Sequence, residues 1–415
     1  TGTVRPDCDI AIIGAGPAGS VIAKFLHDAG MAVTVLEAET FPRFVIGESL
    51  LPNCMNVLER AGLLDAVTDA GFQFKNGAVF ECGPQYMSID FRQNFEPSDC
   101  WGTTFQVKRA RFDQILAGET ARAGVNIRFG HRVTSAQLAD GDCRLGFTDA
   151  NGNPGELRAG FVVDASGYGR VLPRMLGLAR PGKSIERRAL FTHMRDHITD
   201  PGYDREKILI TVHPTRHEIW YWLIPFSDGT ASVGAIYADN DPAFVGMSDQ
   251  DIFNQLIHDT RLGSLLANAE PIRDLNSIAG YSAQSEKLFG DGYVLLGNSA
   301  GFLDPVFSSG VTIAMHSAEL AAKALIARHN GNAVDWNMDF AEPLSKGVDT
   351  FRAYVDAWYD GRLQTIIFNQ PDDDSQLKRM VVSILAGYAW NMENPLVAKT
   401  ERYLEMLHDL CAPSS

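Results

Sequence analysis

Residues 8–13, CDIAII, form a near-continuous apolar run, as in a parallel strand buried on both faces. CDIAIIGAGPAGSVIAKFLHDAGMAVTVLEAE then reads as strand, turn, helix, strand. From about 75 to 105 the pattern shortens to alternating apolar and polar positions broken by turn residues, which predicts antiparallel strands. KRARFDQILAGETARAG predicts a helix, VNIRFG a strand, and a β-meander leads into the apolar strand GFVVDASG. Residues 187–284 alternate again, as a second, mostly antiparallel layer would. GYVLLGNSAG and GVTIAMHSAELAAKALIARH return to strand and helix, and the tail after about 345 is largely helical.

Two aromatic clusters stand out in this pattern. In EIWYWLIPFSDG (218–229), alternation puts Trp220 and Trp222 on one strand face and Tyr221 on the other. Phe351, Tyr354 and Trp358 recur at i, i+3 and i+7, one face of a helix. Taken alone, both clusters are more often core than function.

The order of elements predicts an α/β architecture. A Rossmann-type nucleotide-binding domain is expected from three segments, 7–74, 105–186 and 285–345. Strands at 75–104 and an antiparallel β-sheet domain at 187–284 are inserted into it, and a helical region closes the chain at 346–415. The opening TGTVRPD is expected to be a short tail outside the fold. A length of 415 residues is more than one core usually supports, in line with joined domains.

Composition narrows the class of partner. No apolar run approaches a membrane span and no charged-then-apolar leader opens the chain, so a soluble protein is expected. A net charge of −15 argues against nucleic acid and anionic lipid, and provides no long-range attraction to an acidic carrier protein. The cysteines at 8, 54, 82, 100, 143 and 411 form no CxxC pair and no metal spacing, which points to reduced thiols in the cytoplasm. His193, His213 and His217 show no metal spacing either, and no metal site is expected.

GAGPAG sets Gly14, Ala15, Gly16, Ala18 and Gly19 between a buried strand and a helix, and Glu37 ends the next strand. The glycines allow a tight turn and close approach of backbone to a pyrophosphate at a helix N-terminus, and the acid can accept from ribose hydroxyls. Two later segments separate NAD from FAD. VVDASG (Asp164, Gly167) and YVLLGNSAGFLDP (Gly297 to Pro305) resemble the second and third FAD contacts of the flavoprotein monooxygenase superfamily. The resemblance implies FAD, with Asp164, Gly297, Asn298, Asp304 and Val311 along it. Asn298 stands where that superfamily usually has an aspartate, and remains an acceptor through its amide oxygen. FPRFVIGESLLP and QVKRARFDQIL likewise imply that Arg43, Ser49 and Arg109 reach the cofactor.

Within this fold, WYWLIP matches the WxWxIP motif of flavin-dependent halogenases, with Ile219 where some members have glycine. The resemblance implies that Trp220 and Trp222 wall the flavin off from the substrate. Lys75, in GFQFKNGAVF, corresponds to a lysine those enzymes use as a haloamine or as a donor to hypohalous acid. The turn in DPVFSSGVTIAMHSA implies a halide held at Ser309 and Gly310. Phe307 replaces a glutamate that assists attack by indole rings in tryptophan halogenases, so an electron-rich phenol or pyrrole is the expected substrate. Phe80, Phe307 and Trp358 are expected to wall its pocket. The implied partners are reduced FAD from a separate NAD(P)H:flavin reductase, O2, chloride or bromide, and a small aromatic substrate, free or carrier-bound. The alternative is an aromatic monooxygenase or geranylgeranyl-reductase-type oxidoreductase of the same fold.

Overall fold

The computed structural model describes residues 4–182, 185–370 and 375–414. The chain opens with β1 (Cys8–Ile13), α1 (Pro17–Asp28), β2 (Val33–Leu36) and α2 (Pro52–Arg60). Next come β3 (Gln73–Lys75), β4 (Gly77–Cys82), β5 (Gln85–Asp90), β6 (Thr104–Gln106), α3 (Arg109–Arg122) and β7 (Asn126–Arg128). The long β8 (Pro154–Asp164) precedes β9 (Arg187–Arg195), β10 (Lys207–Val212), β11 (Trp220–Pro225) and β12 (Thr230–Ala238). β13 (Tyr293–Leu295), α4 (Gly310–His329) and α5 (Glu342–Tyr359) lead into the shorter C-terminal helices.

The first sheet runs β13–β8–β1–β2–β7, all parallel, with Ile12 paired to Val163 on one side and Val35 on the other. The continuous apolar runs of β1 and β8 follow from this position, because helices such as α1 and α4 cover a sheet already filled from the other side. An antiparallel hairpin, Arg132–Gln137 and Cys143–Thr148, extends the N-terminal half of β8. The expected Rossmann-type α/β core is therefore present.

The second sheet runs β9–β12–β11–β10–β4–β5. Its neighbours are antiparallel except β4 and β10, which pair in parallel from Gly77↔Lys207 to Cys82↔Val212. Alternation marks which face a residue takes but not the direction of its neighbour, so this pair escapes a pattern reading. β11 lies buried in the middle. Trp220, Trp222 and Ile224 face the C-terminal helices, while Tyr221 and Leu223 face Phe253 and Leu256 on the other side. Room for Trp222 comes from Gly234 on β12, where a Cβ would sit 2.3 Å from the indole. Phe351, Tyr354 and Trp358 of α5 are fully buried against the same face. The two-stranded ribbon β3–β6 sets Lys75 opposite Thr104. Among the described residues, no helix is long and apolar enough to cross a membrane.

Candidate active site

A cavity of about 660 Å³ runs between the two sheets, from the Gly14–Ala18 turn to Trp220 and Trp222. At its nucleotide end the glycines serve different purposes. Gly14 has φ +99°, and a Cβ there would lie 2.5 Å from the Ala165 carbonyl oxygen. A Cβ on Gly19 would lie 1.9 Å from the Gly14 carbonyl oxygen, so Gly19 brings helix and turn together without lining the cavity. Gly16 starts α1 with no side-chain cap and lines the cavity with Ala18, leaving first-turn amides for an anion. Ala15 does not line it; its N–H donates to Glu37 Oε2 at 2.7 Å. Glu39 N–H donates to the other oxygen of Glu37 at 3.2 Å, and burial still raises this carboxyl above its ordinary value.

Arg43 and Arg109 converge on Asp113, which is fully buried. Arg43 Nη1 donates to Asp113 Oδ2 at 2.6 Å, while Arg109 Nε and Nη2 reach Oδ1 and Oδ2 at 2.8 and 3.0 Å. Arg109 Nη1 donates to the Ile46 carbonyl at 3.0 Å, tying α3 to the 41–49 loop on the cavity wall. Open amides, the carboxyl of Glu37 on the cavity wall and the paired arginines fit an FAD diphosphate and ribose, and Asn298 and Val311 line the cavity further along.

Besides Ala15 and Gly19, two expected acidic contacts, Asp164 and Asp304, also lie off the cavity wall. Asp164 accepts from Ser166 N–H at 2.9 Å and Leu172 N–H at 2.8 Å, so it builds the turn whose Ala165, Ser166 and Gly167 line the cavity. Asp304 accepts from Val306 N–H at 3.0 Å and from the Tyr359 hydroxyl at 2.8 Å, and does not line the cavity. Burial raises its carboxyl to about 6, against the pull of those two donors. In each case nearby donors already engage the acid, and its side chain shapes a turn beside the cavity.

Lys75 is completely buried, and its Nζ donates to Ser49 Oγ at 2.6 Å and to the Leu50 carbonyl at 2.7 Å. Burial lowers the amine to about 7, opposed only by Cys54. Ser49 lines the cavity and Lys75 does not, so the amine stands one hydroxyl behind the wall.

The indoles also lie on that wall, with ring centroids 6.1 Å apart. Trp222 Nε1 donates to Ser232 Oγ at 3.0 Å, and Trp220 Nε1 to the Tyr359 hydroxyl at 2.8 Å. Tyr359 thus links the indole wall to Asp304 at the start of the 304–310 turn, a role that no local pattern announces. Ser308 adopts a left-handed φ of +57°, and Ser309 begins α4 without a side-chain cap. Gly310 lines the main cavity and also an adjoining one of about 240 Å³, whereas Ser309 lines only the smaller.

Phe80, Phe307 and Trp358 depart from expectation and line neither cavity. Trp358 packs at 5.9 Å from Phe80 and 5.8 Å from Phe307, and Phe307 at 5.9 Å from Tyr354. The two Phe307 contacts are edge-to-face and the Phe80–Trp358 pair is tilted, so the rings pack against one another.

Comparison with known proteins agrees with this geometry. The family model described as FAD binding domain matches residues 7–348. The 1H-pyrrole-2-carbonyl-[peptidyl-carrier protein] brominase of Pseudoalteromonas luteoviolacea is 30% identical, with 93% of each chain covered. The corresponding chlorinase of Pseudomonas fluorescens is 29% identical over 92% of this chain and 89% of the relative. A flavoprotein/dehydrogenase structure from Cytophaga hutchinsonii matches with a TM-score of 0.91 and 40% identity, covering 97% of this chain and 98% of the other. Two sheets flanking an FAD-suited cavity, with halogenase relatives spanning nearly the whole length, place this chain in the flavin-dependent halogenase family of FAD-binding enzymes.

Proposed function

We propose that the enzyme takes reduced FAD from a separate NAD(P)H:flavin reductase and, with O2 and chloride or bromide, halogenates an electron-rich aromatic ring in natural-product biosynthesis. Phe307 leaves the turn without a carboxylate to assist ring attack, which favours a self-activated pyrrole or phenol, free or carrier-bound, and two relatives are named for carrier-bound pyrroles. FAD, when bound, supplies the power to oxidise halide to hypohalous acid. The protein supplies position and protection.

What carries this reading is Lys75. An amine lowered to about 7 is partly uncharged near neutral pH, so it can carry a halogen or direct a hydrogen bond. Ser49 shares its hydrogen bond and faces the cavity. In this reading the Ser309 and Gly310 amides hold the halide, and Trp220 and Trp222 keep the ring from the flavin. All six cysteines are free, which suits a reducing cytoplasm.

The test is mass spectrometry of a phenol and pyrrole panel, incubated with enzyme, FAD, NADH, a generic flavin reductase and either halide. Products with chlorine or bromine isotope patterns are expected. The 40% identity to a flavoprotein/dehydrogenase favours one second reading, an oxidoreductase whose substrate meets the flavin directly. Rapid reduction of bound FAD by NAD(P)H without a helper, together with indifference to halide, would establish that reading instead.

A further inference from the structure

Halogenation consumes one proton per turnover: FADH2 + O2 + X⁻ + ArH + H⁺ gives FAD + ArX + 2 H2O. O2 accepts four electrons, two from FADH2 and two from the halide; the ring's π pair then forms the C–X bond and the C–H proton leaves. The proton must reach a cavity whose sheet side is Ile208, Ile210, Ile224 and two indoles. Such a wall neither conducts nor stores a proton.

Glu37, Glu39 and His131 line the nucleotide end of the cavity, and one further titratable pair borders the sheet side. Glu48, between Gly47 and Ser49, lines the cavity with its side chain 2% exposed. Its Oε2 lies 2.7 Å from His193 Nε2 on β9. The approach lacks hydrogen-bond alignment, and neither atom has another partner. His193 does not line the cavity and keeps 9% of its side chain exposed, between the edges of Phe44 at 5.3 Å and Phe226 at 5.4 Å. The carboxylate therefore stands on the cavity side and the imidazole behind it.

The charged neighbours are otherwise engaged. Arg109, across from Glu48 on α3, is held by Asp113 and the Ile46 carbonyl. Lys75 is held by Ser49 and Leu50, and the Arg273 guanidinium covers the Phe44 ring at 3.4 Å. Glu37, Asp113, Asp164 and Asp304 have amide, guanidinium or phenol hydrogen-bond donors, whereas Glu48 Oε2 has none and meets the imidazole, with the Arg109 charge acting on it only through space. A buried acid with so little hydrogen-bond support is not needed merely to join a loop to a sheet.

We infer that His193 and Glu48 form the proton-delivery pair of this cavity, His193 taking a proton from the solvent side and Glu48 passing it to the reacting groups. The inference rests on the halogenase reading for its reaction, but proton delivery can be measured without halide. Glu48→Gln and His193→Gln keep volume and polarity. Anaerobic photoreduction of bound FAD, followed with a pH-indicator dye, should show proton uptake slowed roughly tenfold or more in both. Halogenation per reduced flavin should fall by a similar factor, more at pH 8 than at pH 6, with FAD affinity and melting temperature near wild type. In His193→Ala, added imidazole should restore uptake, which a purely structural role would not allow. Wild-type proton uptake in Glu48→Gln, or variants that lose FAD while taking up protons normally per bound flavin, would overturn the inference. A wild type that takes up protons through the pair but halogenates nothing would overturn the halogenase reading and leave the pair standing.

Discussion

Replacing Lys75 with methionine separates stability from chemistry. The fall from 10.5 to about 7 corresponds to roughly 4–5 kcal/mol set against the ammonium form in the folded chain. Methionine has similar volume and no charge, but it abandons the Ser49 hydroxyl and leaves the buried Leu50 carbonyl unanswered, a loss of about 1–3 kcal/mol. Lys75→Met should therefore be more stable than wild type at pH 7 by roughly 1–3 kcal/mol. The sign of the pH dependence is fixed by proton release. The unfolded chain holds the lysine proton up to about 10.5 and the folded chain only below about 7, so wild-type stability rises with pH across that window. Methionine does not titrate, and its advantage should shrink by roughly 2 kcal/mol between pH 7 and pH 9. Urea unfolding of the two proteins side by side at both pH values measures this, because all other titrations cancel in the difference. The variant should bind FAD normally and lose halogenation. A stability difference independent of pH would show that the amine is an ordinary charged lysine in the fold, and full halogenation would remove its chemical role.

Two further changes probe the frame around the site. Gly234→Val places side-chain atoms where a Cβ alone already meets Trp222 at 2.3 Å; it should cost roughly 1–3 kcal/mol and change the tryptophan fluorescence of the folded protein. Asp113→Asn leaves the buried Arg109 guanidinium without its carboxylate, a loss of roughly 3–5 kcal/mol. With Arg43 also released, FAD affinity should fall at least about tenfold, read by fluorescence quenching on titration.

Much of the scaffold is legible from the residues in order. The apolar run of β1, the glycine turn and Glu37 describe a βαβ unit because each depends on neighbours a few positions away. The two faces of β11 follow from a period of two, and the observed α4 spans the same residues as the predicted helix. The glycines at 14 and 19 also declare a close approach, although whether a glycine meets a ligand or a carbonyl is a matter of packing.

Partners across the fold are another matter. Asp164 and Asp304 have the residue type of a cofactor contact, but the folded turns bring amides to them at 2.8–3.0 Å. Phe80, Phe307 and Trp358 come from three distant segments and pack against one another. Tyr359 meets Trp220 across 139 positions of chain. His193 meets Glu48 only because β9 crosses behind the 41–49 loop. The sequence by itself determined where strands and helices run and which residues carry reactive chemistry, since periodicity and residue type are local properties. Only the tertiary structure decided that Lys75 is buried completely enough to lower its amine to about 7 and that Glu48 faces an imidazole, because solvation and pairing depend on what the rest of the chain brings alongside.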